Sequence, residues 1–174
     1  DYRSAAIISP AYAGMHGELT AILQYVYHSF YFEKAGMAET ADIMIGIAIC
    51  EMKHLDILGS LILELGIQPI FTALPPRRCN FYNTAAVSYS QTPQKMLMDD
   101  ITGELTAIEE YTQMLGQLSD ERVGAVISRI RLDEELHVKV LQEQLEKLTV
   151  TAPEAGRILS LDVEVGDEVS AGQT

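Results

Sequence analysis

Asp133-Glu134-Glu135-Leu136-His137 decides the reading, because its Glu-x-x-His pattern occurs twice: Cys50-Glu51-Met52-Lys53-His54 carries the same pattern 83 positions earlier. Spacing i to i+3 on a helix places both side chains on one face, roughly 5–6 Å apart at Cβ. Each pair interrupts an apolar seam. Val123, Ile127, Ile130, Leu141 and Leu148 recur at steps of three and four, and the missing steps are Glu134 and His137. Ile43, Ile47, Leu58, Leu61 and Leu65 recur likewise, and there the gaps are Glu51 and His54. A seam of this period is the buried stripe of an amphipathic helix, so both pairs belong to a core.

A second repeat lies outside the first. Gly17-Glu18-Leu19-Thr20-Ala21-Ile22-Leu23-Gln24-Tyr25 recurs as Gly103-Glu104-Leu105-Thr106-Ala107-Ile108-Glu109-Glu110-Tyr111, an offset of 86. Glu104 fills the gap in the seam Leu97, Ile101, Ile108, Tyr111, Leu115 and Leu118; Met15, Ile22 and Tyr25 frame Glu18. Four glutamates and two histidines therefore fall on the buried stripes of four helices. Unpaired carboxylates in a core are very costly. Four carboxylates balanced by two divalent metals, with neutral imidazoles as ligands, form a neutral unit. One Glu from each of two helices and Glu-x-x-His from each of the other two is the di-metal carboxylate arrangement. On this reading Glu18 and Glu104 are terminal carboxylates, Glu51 and Glu134 bridge the metals, and His54 and His137 each serve one metal; the four glutamates are also the candidate catalytic residues.

Four helices are expected over about Pro10–Ala35, Ala38–Leu65, Thr92–Leu118 and Ser119–Val150. Gly36, Gly66 and Pro69 act as stops, and Thr92-Pro93 as a cap followed by a first-turn proline. Two short links make two antiparallel hairpins. The segment from Ile67 to Thr92, with Pro69, Pro75, Pro76, Asn80 and Asn83, has no helical period and reads as a long crossover. The fold class is all-α: a four-helix bundle over residues 1–150, with a short β-type tail over 151–174 expected from Ile158, Leu159, Leu161, Val163 and Val165 before a Gly166-Asp167 turn.

Composition narrows the function classes. At 174 residues, 48% apolar and 21% charged, the chain is sized for one globular domain with room for a small appendage. A net charge of −13 argues against nucleic acid or an anionic membrane as partner. No membrane span and no signal segment are evident. Cys50 and Cys79 form no Cys-x-x-Cys pair, so no rubredoxin-type iron site lies within these residues, and a reducing, cytoplasmic setting is expected.

The motifs at 17–25, 51–54 and 133–137 resemble the ferritin-like superfamily, most closely its bacterioferritin and rubrerythrin branch. The resemblance covers roughly residues 10–150. It implies a di-iron or di-manganese centre reacting with dioxygen or hydrogen peroxide, a separate electron donor, and a homo-oligomer, at least a dimer, paired through the first two helices. Members of this branch often carry Asp immediately before both Glu-x-x-His motifs, as a partner behind a ligand histidine. Asp133 is present, whereas the second helix has Cys50. Met52 matches the methionine that holds haem between subunits in bacterioferritins; its ordinary reading is a surface or interface methionine, and haem is not expected. The long crossover resembles that of manganese-catalase-like relatives and could cover the site or build a subunit interface. Tyr25 and Tyr111 could hydrogen-bond ligand carboxylates or act in redox, the commoner role being a satisfied core tyrosine. His16 and His28 lie off the inferred seam and read as surface or interface residues; Glu109 and Glu110 read as a solvated face. Around Gly166-Asp167 the tail resembles the opening of a biotinyl/lipoyl-type domain without its carrier lysine, so no attachment is expected. Three other functions stand beside the oxidoreductase: a ferroxidase of a cage-forming iron store, manganese-catalase-like disproportionation of peroxide, and a non-enzymatic, metal-free bundle.

Overall fold

The architecture follows from where the chain can and cannot remain helical. In the computed structural model, residues 1–78 and 81–148 are described. They form α1 (Tyr2–Ala13), α2 (Glu18–Lys34), α3 (Ala38–Glu64), α4 (Pro93–Gln117) and α5 (Glu121–Lys147), with a 3₁₀ turn at Thr84–Ala86. Helices α2 to α5 are the four-helix bundle, joined as two hairpins by the long crossover. The β-type tail expected over 151–174 lies outside the described residues.

Two of the helix ends are built alike. Gly36 and Gly66 take positive φ, 77° and 86°. After α2, the Gly36 and Met37 amides bond to Glu33 and Phe32 carbonyls; after α3, those of Gly66 and Ile67 bond to Leu63 and Ile62. This is the Schellman end that glycine permits at low cost. Pro93 occupies the first turn of α4, as expected, though the Thr92 side chain makes no cap bond. Asp120 caps α5 by accepting from Arg122 and Val123 amides.

The first segment differs from expectation. A single helix over about Pro10–Ala35 is replaced by two, broken at Gly14–Gly17, and Met15 is exposed instead of framing Glu18. A Cβ on Gly17 would stand 2.3 Å from the Ala11 carbonyl oxygen, and one on Gly14 would stand 2.5 Å from that of Pro10. The chain turns so tightly here that only glycine fits. The corner sets the start of α2 and hence the position of Glu18. Gly17→Ala is expected to destabilise the protein by about 1–3 kcal/mol, the usual range for forced overpacking, checked by thermal melting against wild type.

The core is divided. One apolar cluster joins α1 (Ile8, Tyr12) to Leu58 and Ile62 of α3, Tyr111 of α4 and Ile127 of α5. The other joins Phe32 of α2, Met44 and Ile47 of α3, Leu97 of α4 and Leu141 of α5. The six ionisable residues of the seams lie between the two clusters along α2 to α5, which supply apolar burial to hold the polar layer in place.

Candidate metal centre

Glu18, Glu51, His54, Glu104, Glu134 and His137 are all buried, none more than 7% exposed. Five enter from helix interiors, where the 3.6-residue period aims them at the bundle axis, and Glu18 enters from the first turn of α2. They form two overlapping clusters, Glu18, Glu51, His54 and Glu134, and Glu51, Glu104, Glu134 and His137, each with its donor atoms within 4.8 Å of one another. Glu51 and Glu134 belong to both. Nδ1 of His54 lies 2.8 Å from Glu51, 3.2 Å from Glu134 and 3.8 Å from Glu18. Nδ1 of His137 lies 2.9 Å from Glu51, 2.9 Å from Glu134 and 3.6 Å from Glu104. The structure thus brings together all six residues expected from the seams, with the glutamates of the Glu-x-x-His pairs placed between the histidines.

Several of these atoms converge without pairing. Glu51 Oε1, Glu134 Oε2 and His137 Nδ1 are buried with no hydrogen-bond partner, although each oxygen stands 2.9 Å from that nitrogen. Buried polar groups are nearly always satisfied. Lone pairs converging on a common space without hydrogen-bond direction fit a bound cation, and a mixed carboxylate and imidazole set suits iron or manganese.

The protonation pattern of the metal-free protein is consistent. Burial and the neighbouring Glu51 push the Glu18 carboxyl well up. Burial pushes Glu104 up to about 8, only partly opposed by His137. Burial also opposes ionisation of Glu51, but the contacts of His137 and His54 outweigh it and hold the carboxyl at about 2. Both imidazoles lose affinity for a proton by burial and regain far more from their carboxylates, so each lies well above its ordinary value. For Glu104 and both histidines the folded state binds protons that the unfolded state releases, so their contribution falls as pH rises. For Glu104 the loss runs from its ordinary 4.5 to about 8, and for the histidines it starts at their ordinary 6.5. Glu51 works in the other direction, its contribution present above 4.5 and lost as pH falls towards about 2. Metal-free protein is expected to melt at a lower temperature near pH ~8.5 than near pH ~6. Stabilisation by added manganese should grow over the same interval, because ligation displaces these protons. Thermal melts with and without the ion check both signs.

The tyrosines cross between hairpins. Tyr25 on α2 donates to Glu104 on α4, and Tyr111 on α4 donates to Glu18 on α2. A cavity of about 530 Å³ reaches Glu18, Glu51, Glu104 and Glu134 but neither histidine. It is walled by small residues of the repeat, Gly17, Ala21, Gly103 and Ala107, and by Ser88 and Ser90 of the crossover. The crossover therefore forms part of the cavity wall. His54 and His137 stand behind the carboxylates.

Some expectations are corrected. His28 is not a surface residue: it is fully buried, with Nδ1 2.9 Å from both oxygens of Asp100. Asp100, unnoticed in the sequence, is 1% exposed, lines the cavity and accepts from Gln24 at 2.8 Å. Gln24 in turn accepts from the Ser88 amide at 2.8 Å, tying the crossover to this buried pair. Glu110 is half-buried and lines the cavity together with His16, while His16 and Glu109 are both exposed as read. Met52 is 47% exposed. Asp133 lies behind His54, not behind the histidine of its own helix.

Residues 13–150 match the family described as the ferritin-like domain. The chain belongs to the ferritin-like family. It is 29% identical over 161 residues to a bacterioferritin from Rhodobacter capsulatus, covering 90% of this chain and 92% of that protein. Among solved structures, this ferritin-like chain superposes on a manganese catalase from Anabaena with TM-score 0.74 and 23% identity, over 92% of this chain and 79% of that one. It also superposes on the Rhodobacter capsulatus bacterioferritin, described with a metal-free dinuclear site and a haem iron, with TM-score 0.68 and 27% identity over 84% of this chain and 86% of that one. Among the described residues, no helix of this ferritin-like protein is long and apolar enough to cross a membrane.

Proposed function

We propose that this ferritin-like protein is a di-metal carboxylate oxidoreductase acting on hydrogen peroxide or dioxygen, with two iron or two manganese ions per chain. The observation that carries the reading is the set of orphaned buried atoms, Glu51 Oε1, Glu134 Oε2 and His137 Nδ1, converging between two histidines. Glu51 and Glu134 serve both ions, Glu18 and His54 one, and Glu104 and His137 the other. When bound, such a pair of redox-active ions would supply electron exchange with a small oxidant. The chain's own residues do the remainder. Tyr25 and Tyr111 orient Glu104 and Glu18 by hydrogen bonds. The cavity admits a small oxidant on the carboxylate side, and the two apolar clusters pack on either side of the polar layer along the helices. No Cys-x-x-Cys pair lies in these residues, so the electrons come from outside them.

Elemental analysis of freshly purified protein tests this: about two iron or manganese per chain is expected. A folded protein that carries no metal and gains no thermal stability from either ion would leave the metal-free bundle as the reading.

Likeness to a bacterioferritin favours a second reading, a ferroxidase in a cage-forming iron store. Solution mass separates the two, since a dimer or tetramer is no cage. Self-association is supported by an outward apolar face: Leu23 and Phe30 lie seven residues apart on α2, and Ile45, Ile49 and Met52 recur at steps of four and three on α3, all exposed. Two copies pair through this face, with Met52 an apolar contact and no haem ligand. A cytoplasmic location belongs to the same proposal.

A further inference from the structure

The pseudo-two-fold relation between the hairpins carries Glu51 onto Glu134 and His54 onto His137, an offset of 83. One residue upstream the relation fails. Asp133 corresponds to Cys50, and Arg129, four residues before Asp133, corresponds to Gly46. Sequence alone does not say which histidine this difference touches.

In the folded chain Asp133 reaches across to the other hairpin. Its Oδ2 lies 3.5 Å from Nε2 of His54, the outer nitrogen of the ring whose Nδ1 faces Glu18, Glu51 and Glu134. Arg129 holds the opposite oxygen of Asp133 at 2.7 Å. Cys50 does not mirror this towards His137: its sulfur, a weak acceptor, sits 3.6 Å from the same Nε2 of His54. The carboxylates within ion-pair distance of His137 are Glu51, Glu104 and Glu134, and all three meet Nδ1. One imidazole therefore has a carboxylate behind it and the other has none among the described residues.

From this asymmetry we propose that the two metal subsites are unequal: the one formed by Glu18, Glu51, His54 and Glu134 fills first and more tightly, with Asp133 as its positioning residue. The proposal rests on the metal-centre reading above. A carboxylate on the outer nitrogen keeps the proton there, leaves Nδ1 as a lone pair directed at the metal, and raises its basicity. Loss of such a partner typically costs about 10–100-fold in affinity. His137 lacks that constraint, so the Glu51, Glu104, Glu134 and His137 subsite is the weaker one.

Calorimetric titration of metal-free protein with Mn(II) tests it. Two steps separated by about 10–100-fold are expected in wild type. Cys50→Asp puts a second carboxylate beside the same outer nitrogen of His54, not beside His137, and should leave the weak step where it is. Asp133→Asn should weaken the tight step by about 10–100-fold and leave the weak step in place. His137→Ala should keep the tight step alone, and His54→Ala the weak step alone. Two equal steps in wild type, an unchanged separation in Asp133→Asn, or loss of the tight step in His137→Ala would overturn the inequality while leaving the metal centre standing. A folded wild type that binds neither Mn(II) nor Fe(II) overturns the metal centre itself.

Discussion

Glu51→Ala is expected to remove both metal ions from the chain, whereas Glu18→Ala removes one. The difference lies in reach. Glu51 presents one oxygen 2.8 Å from His54 and the other 2.9 Å from His137, so its loss takes a donor from both clusters. Glu18 belongs to the His54 cluster alone. Removing Glu51 also leaves three carboxylates against two divalent ions, so the buried unit is no longer neutral and must shed an ion or take up an anion. Metal per chain should fall from about two to near zero in Glu51→Ala and to about one in Glu18→Ala. Peroxide or dioxygen consumption should be lost in both, because two-electron chemistry needs the pair. Equal metal loss in the two variants would show that Glu51 and Glu18 are equivalent, and the bridging role would go with it. Circular dichroism at matched temperature separates loss of ligation from loss of fold.

The largest stability effect is expected away from the six ligand candidates. His28 and Asp100 are both fully buried and pair at 2.9 Å between α2 and α4. Burial raises the Asp100 carboxyl, and the His28 and Gln24 contacts pull it back only in part. Replacing one member leaves the other buried without its partner, a situation that typically costs ~3–5 kcal/mol. For a domain of this size that corresponds to a drop in melting temperature of about 6–20 °C at ~2–4 °C per kcal/mol. Asp100→Leu is expected in this range because it strands the imidazole. His28→Leu should cost less at low pH, where Asp100 can take a proton. The double variant His28→Leu with Asp100→Leu should recover much of the loss, as well-packed apolar replacements of buried pairs commonly do. A double-mutant cycle measures the coupling, and additive single losses would mean that the pair does not act as a unit.

Much of the candidate site was legible because helix periodicity is a local property. Glu104 and Glu134 fall where Leu97 to Leu118 and Val123 to Leu148 each require an inward residue, and both are buried as that requires. The two-hairpin arrangement with a long crossover followed from the glycine stops and from Pro69, Pro75 and Pro76. Asp100 and His28 were legible in principle. Asp100 stands three residues after Leu97 and four before Glu104, and His28 three after Tyr25 and four before Phe32, all seam intervals. Ile101 fills the same step as Asp100 and is only half-buried, so the apolar residue was the wrong choice. Likewise Gly14 and Gly17 signal a corner, but an amphipathic stripe alone does not distinguish a continuous helix from two helices meeting at a turn.

By itself the sequence determined the helices, which residues face inward, and a site with four carboxylates and two imidazoles, because each of these depends on spacing along one chain. Only the tertiary structure decided what crosses between helices: that Tyr25 serves Glu104 and Tyr111 serves Glu18, that Gln24 ties the crossover to a buried His28–Asp100 pair, and that Asp133 stands behind His54. Periodicity fixes the direction of a side chain relative to its own helix axis. It does not fix the depth or rotation at which a neighbouring helix docks, and ångström-scale differences in that docking decide which nitrogen a carboxylate meets.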